Sequence, residues 1–323
     1  MAINFGSGDL GDVSLTEDTT MTTIESYQNL NIPFGVDLTV PNGAVLQVSD
    51  TLTLDGTITV EPRHGSRGGY GGDAGGSFFI LAETVTGSGT INANAVDGQD
   101  RSNTNYNNNN DTGSSGLPPV IAGAKTNVIT TGSGGGSGTS GGVASDTAVT
   151  RDLLSIWLDE WMVPSAKISG LPMAKLLSGG GSDSSQGRRN NNGGYGGGGG
   201  AGGSFGGRGG NGGNGQGNTN SANKGRSGGG GGGAGGLIVI VSKNLSIDIT
   251  VQTKGASGGN GSNGTPASGT GGGGGGGIVI AVTPNAQKPT YVVDGGLPGD
   301  TGHGIGNGGQ DGVFTHIPLS MIE

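Results

Sequence analysis

Between positions 36 and 60 the apolar residues fall in short runs of period two: Val36, Leu38 and Val40; Leu46 and Val48; Leu52 and Leu54; Ile58 and Val60. Alternation of this kind marks a strand with one buried face. Pro41-Asn42-Gly43, Ser49-Asp50 and Asp55-Gly56 separate the runs, and these residue types favour turns through their own backbone geometry. The runs recur faster than the roughly 8–12 residues of a sandwich strand with its loop. They fit the short flat arcs of a β-solenoid, each two or three inward side chains long. A hairpin meander with tight turns is the competing arrangement.

Further along, three segments repeat a looser unit: GGSFFILAETVTGSGTINANAVDG (75–98), GGLIVIVSKNLSIDITVQTKGASGG (235–259) and GGIVIAVTPNAQKPTYVVDGG (276–296). Each reads glycine pair, apolar strand, polar turn, second strand, glycine. The first strand is apolar at nearly every position (Phe78 to Leu81, Ile238 to Val241, Ile278 to Val282). That pattern predicts burial of both faces. The second strand alternates, through Ile91, Ala93 and Ala95, then Ile247, Ile249 and Val251, then Tyr291 and Val293. It is expected nearer the edge of a layered structure. Repetition of this type reads as stacked units, none able to bury its own face alone.

One stretch follows a helical period instead. In TRDLLSIWLDEWMVPSAK (150–167), Leu153, Leu154, Trp157, Leu158 and Trp161 share a face, Thr150 suits an N-cap and Pro164 ends the run. A short α-helix is predicted over 150–163. Its two tryptophans, Trp157 and Trp161, are candidates for a subunit or docking contact, or for packing over the open side of the β-core.

Composition now alters the picture. Glycine supplies 79 of 323 residues, while charged residues make up only 12% and aromatics 4%. No third-residue period runs through the chain, so collagen is excluded. Low-complexity disorder is the ordinary consequence of such a composition, yet dense clusters of Val, Ile, Leu and Thr interrupt the glycine. The tracts abut predicted buried strands directly and return beside every copy of the unit. A linker would lie between domains. An extended left-handed helix of the polyproline II type, three residues per turn, has no internal hydrogen bonds and turns every N–H and C=O outward. Packed side by side without Cβ atoms, such helices can bond to one another and meet the backbone accounting that burial demands. The fold class expected is therefore mostly β. Solenoid-like or layered strands are combined with packed polyglycine II-type helices. Three regions are expected: an N-terminal β region (1–64), a glycine-rich region (65–310) with inserted loops at 100–150 and 204–227, and a C-terminal tail (311–323).

The net charge of −9 is spread out, and the only basic pair is Arg188-Arg189, which speaks against nucleic-acid binding. Without cysteine there is neither a disulfide nor thiol chemistry. MAINFGSGDLGDVSL has no positive or apolar signal region, and no apolar run is long enough to span a membrane. A chain made in a cytoplasm, with the composition of a surface protein and no signal peptide, fits a component of a virion.

The motifs GGYGGDAGG (68–76), GGYGGGGGAGGSFGGRGGNGGNGQG (193–217), GGGGGGAGG (228–236) and GTGGGGGGG (269–277), separated by polar loops, resemble the distal tail-fibre adhesins of tailed bacteriophages. In that family the tip domains stack polyglycine II helices, and the segments between motifs are exposed receptor-reading loops. The resemblance implies such loops at 100–110, 218–226 and 258–268. The receptor-binding candidates it points to are Asn105, Tyr106, Asn107, Asn108, Asn220 and Lys224. Asparagine and tyrosine suit the role, with adaptable hydrogen bonding and a rigid aromatic face. The partners implied are a host cell-surface glycan or outer-membrane protein and other virion proteins. A homo-oligomer is implied, a trimer or else a monomeric tip.

Catalytic chemistry is sparse. His64, His303 and His316 have no plausible partner near them in sequence, and no phosphate-binding G-x-x-x-x-G-K-[ST] occurs. GNGGQDGVF (306–314) resembles one calcium-binding β-roll nonapeptide, which makes Asp311 a weak metal candidate. A single copy does not complete an ion's oxygen shell. Asp55, Glu61, Asp73 and Glu83 come nearest to a carboxylate cluster. The expectation is a non-enzymatic virion protein without cofactor, a tail fibre or adhesin. The alternatives are an architectural capsid-surface or appendage component, a glycan-degrading solenoid enzyme and a non-viral surface adhesin.

Overall fold

The computed structural model describes residues 3, 5–62, 71–98, 100, 105–106, 225–226, 228–261, 267–284, 288–300 and 306–321. Within these the chain lays strands by turns into two sheets. The first sheet takes β1 (Asp12–Ser14), β3 (Ile24–Tyr27), β4 (Asn29–Ile32), β6 (Ala44–Leu54), β8 (Ser77–Thr86), β12 (Leu237–Leu245), β14 (Ile278–Thr283) and β16 (Val313–Pro318). The second takes β2 (Thr19–Thr20), β5 (Asp37–Val40), β7 (Thr57–Val60), β9 (Thr90–Asn92), β13 (Thr250–Gln252) and β15 (Thr290–Val292). Every ladder in both sheets is parallel. That rules out the hairpin meander for these strands. The architecture is mostly β, and the helical content of the described residues is one 3-10 turn, Leu319–Met321.

The alternation seen in the sequence sets the packing. Leu38, Val40, Leu46, Val48, Leu52, Leu54, Ile58 and Val60 are all buried in a single core shared by the two sheets. The repeated units stack in register, Phe78 with Ile238 and Ile238 with Val279 in the first sheet, Ile91 with Val251 and Val251 with Tyr291 in the second. Phe78, Ile80, Ile238, Ile240 and Val279 point into the core; Phe79, Leu81, Val239, Val241, Ile280 and Val282 are buried on the opposite face. The prediction of two buried faces thus holds for β8, β12 and β14.

The second strand of each unit differs from expectation. It does not lie toward the edge of the first strand's layer but belongs to a sheet of its own. Short turns reverse the chain after each first-sheet strand, and one of them uses Gly87, whose φ of 106° suits glycine alone. The ladders also pass through the expected region boundaries. β8 pairs with β6 across 64/65, and β16, placed by the sequence in a tail, pairs with β14.

The glycine segments extend these sheets. Residues 71–76, 228–236, 269–277 and 306–312 lead into β8, β12, β14 and β16; residues 93–98, 253–261 and 293–300 leave β9, β13 and β15. Their hydrogen bonds repeat at a step of three residues. The N–H groups of Gly229, Gly232 and Gly235 donate to the carbonyls of Gly269, Gly272 and Gly275 at 3.0, 2.9 and 2.9 Å. Those of Gly271, Gly274 and Gly277 donate to Gly259, Ala256 and Thr253 at 2.9, 2.9 and 2.7 Å. Gly98 donates to Ser257 and Gly258 to Leu297, both at 2.8 Å. Incoming segments therefore form one layer, outgoing segments a second, and the two layers bond to each other. A Cβ on Gly232, Gly235, Gly271 or Gly274 would stand 1.9 Å from a carbonyl oxygen, so these positions admit no side chain.

Candidate recognition tip

The outgoing segments 93–98, 253–261 and 293–300 all run away from the second sheet, and the incoming segments return alongside them. The chain leaves the layers at Asp100, Gly261 and Asp300 and re-enters at Gly228, Ala267 and Gly306. These points are neighbours. The Asp100 carboxylate accepts the Asn260 N–H at 2.6 Å, and the Asn260 side-chain oxygen accepts the Asp300 N–H at 2.8 Å. Gly229 bonds to Gly269, and Thr270 Oγ1 accepts the Gly306 N–H at 2.8 Å. Three connections thus emerge from one end of the molecule, opposite the turns that join the two sheets.

A three-residue turn presents every third side chain outward. Along 94–100 these are Asn94, Asp97 and Asp100, stacked on Lys254, Ser257 and Asn260 of the next segment. Each carries an oxygen to the following segment's backbone: Asn94 to the Lys254 N–H and Asp97 to the Ser257 N–H, both at 2.7 Å, and Asp100 as above. Side chains of this type satisfy donors that face solvent. Beside the exits lies an open groove of about 810 Å³ whose lining includes Asp97, Asp100, Asn260, Leu297, Pro298 and Asp300. Leu297 is 70% exposed there. Among the described residues no group of three His, Cys, Asp or Glu side chains is placed to hold a metal ion.

The predicted site residues distribute as follows. Asn105 and Tyr106 form β10 (Asn105–Tyr106), which pairs antiparallel with β11 (Gly225–Arg226), Asn105 opposite Arg226 and Tyr106 opposite Gly225. Two loops singled out separately, 100–110 and 218–226, are therefore joined by their backbones. Asn107, Asn108, Asn220, Lys224, Trp157, Trp161 and the helix expected at 150–163 lie outside the described residues. So do His64 and His303, while His316 Nε2 sits 3.1 Å from both the carbonyl and the hydroxyl of Thr283. The Asp311 carboxylate accepts the Gly295 N–H at 3.0 Å. Two of the scattered carboxylates are engaged locally, Asp55 with the Ser88 N–H at 3.1 Å and Glu83 with Lys243 at 2.8 Å.

Comparison with protein-family models, with curated proteins and with solved structures found no match for this chain. Geometry alone carries the functional reading. The outward ladder begun by Asn94 and Asp97 went unnoticed in the sequence, although the spacing of Asn94, Asp97 and Asp100 displays it. Nothing along the chain marks these residues until the three-residue step of their neighbours is known.

Proposed function

We propose that the chain is a host-recognition protein of a virus particle, a tail-fibre adhesin that reads the cell surface through loops held at one end of a stiff glycine-rich frame. In this reading the two sheets are the flat sides of a β-solenoid, and the glycine segments are packed polyglycine II-type helices that continue its coils. What supports the helices is the three-residue step of their hydrogen bonds together with the absence of room for Cβ atoms. What supports recognition above all is the convergence of three chain exits, at Asp100, Gly261 and Asp300, on one end. Binding residues concentrate on loops positioned by a rigid scaffold. The partner class is a host cell-surface glycan or outer-membrane protein, and the working location is the virion.

The test replaces residues 107–224 with a two-residue turn, so that β10 and β11 become a hairpin. The particle or the purified chain is then assayed for adsorption to host cells. Loss of adsorption with an unchanged far-ultraviolet spectrum is the expected result. Unchanged adsorption would favour an architectural role in the particle, and release of reducing ends from host polysaccharide would favour an enzyme.

A further inference from the structure

The last coil, β15 through β16, differs from the coils beneath it at the positions that would bond to a further coil. In the outgoing layer the N–H groups of Ala95 and Gly255 donate to Lys254 and Asp294 of the next segment, and those of Gly98 and Gly258 to Ser257 and Leu297. The equivalent positions in the last segment are Gly295 and Pro298, since Thr250 pairs with Thr290 and the numbering runs on from there. Pro298 has no N–H to leave unbonded. Gly295 keeps its donor, but the Asp311 carboxylate occupies the place where a next segment's carbonyl would stand. Asp311 itself replaces the residue aligned with Gly276, where a Cβ would meet the Val293 carbonyl at 1.8 Å. A side chain fits at 311 because no further outgoing segment covers it.

The sheet edges show the same device. Val313 donates backward to Gly277, so by alternation the N–H groups of 314, 316 and 318 face away from β14; residue 318 is proline. Thr290 donates backward to Ile249, so position 289 faces away from β13; residue 289 is proline too. Between the sheets, Tyr291 and Phe314 close the end of the core with stacked rings, centroids 4.7 Å apart. Prolines and inserted charge are the means by which edges avoid pairing with another chain.

We infer that the last coil is a built stop. Pro289, Pro298, Pro318 and Asp311 prevent a second copy of this chain from continuing the sheets and the glycine layers at this end. A stack of parallel strands and bare glycine backbone is otherwise a ready template for addition. The stop ends the frame within one chain.

Two experiments on the full chain test this. Sedimentation velocity compares the wild-type protein with the combined variant Pro298→Gly, Asp311→Gly, Pro318→Val across a hundredfold range of concentration. The wild-type profile is expected to hold constant, and the variant to self-associate at concentrations at least roughly tenfold lower. A wild-type profile that grows with concentration while the Gly308 and Gln310 amides become protected would overturn the inference. Amide exchange then reads the cap directly. Asp311→Ala is expected to speed exchange at Gly295 at least roughly tenfold, and Asp311→Asn, which keeps an acceptor oxygen, to restore most of the protection. Equal Gly295 exchange in the wild type and Asp311→Ala would overturn the role given to Asp311.

Discussion

At the scale of single residues, the glycine layers sort positions by what a methyl group would meet. A Cβ on Gly274 stands 1.9 Å from the Gly233 carbonyl, and one on Gly233 stands 2.0 Å from that of Asp73. Neither neighbour is a flexible side chain that could swing away. Ala234 between them is fully buried yet already carries its methyl. Gly274→Ala is therefore expected to cost more than about 3 kcal/mol, or to prevent folding, whereas Ala234→Gly costs about 1 kcal/mol or less. Thermal midpoints of the two variants check this, and equal midpoints would contradict it. Gly35 is the control. Its φ of 83° disfavours a side chain but nothing lies within 4 Å of a Cβ, so Gly35→Ala falls between the other two, at about 1–2 kcal/mol.

Tyr27 gives a second prediction at this scale. Burial, its hydrogen bond to the Glu25 carboxylate and the charge of that carboxylate all raise the phenol's pKa well above its ordinary value of 10.0. The folded state thus holds its proton at pH values where the unfolded chain has lost it. The stabilisation is complete below about pH 10 and is lost as the pH rises toward the folded-state value. Stability of the wild-type protein is expected to fall above about pH 10. In Tyr27→Phe that part of the slope is absent, which urea titrations at pH 8 and pH 10.5 would reveal.

Among elements, the legible and the illegible divide on physical grounds. Period-two alternation at 36–60 located β5, β6 and β7 because each buries a single face, and unbroken apolar runs located β8, β12 and β14 because both faces are buried. Sheet membership was not legible. A strand such as β13, with Val251 buried between two half-exposed neighbours, has the same local pattern at the edge of one layer as in a second sheet. Only the pairing partners decide. The exit points were legible as polar interruptions of glycine, but their convergence required the stacking offsets, which no local window contains. The ladder between β10 and β11 joins residues 105 and 226, with more than a hundred residues between them, and leaves no signal in either strand. Its expected consequence is independence of the frame. The variant lacking residues 107–224 should unfold within about 5 °C of the full chain, since the bonds linking 93–98 to 253–261 do not pass through the excised segment.

For the molecule as a whole, one end holds the turns between the sheets and the other holds the exits. The inner stack is bounded laterally by β1 and β2 on one side and by the last coil on the other. Such a body can be decorated at its exit end without disturbing the packing, because the variable connections begin where the glycine bonding stops. Exchange of residues 301–305 or 262–266 for other polar sequences of equal length is expected to alter adsorption while leaving the sedimentation coefficient unchanged. A change in both would tie those connections to the frame.

The direction of the glycine segments has a mechanical consequence. They run parallel to the line from the exits to the turns, and their hydrogen bonds cross that line sideways. A pull applied at the exits and resisted at the other end loads these bonds in shear, many at a time, and cannot open them one by one as a hairpin unzips. Extended backbone of this kind also has little slack to give before the load reaches the bonds. Tethered by its exit-end connections and stretched, the chain should withstand force with little elongation until the layers fail together.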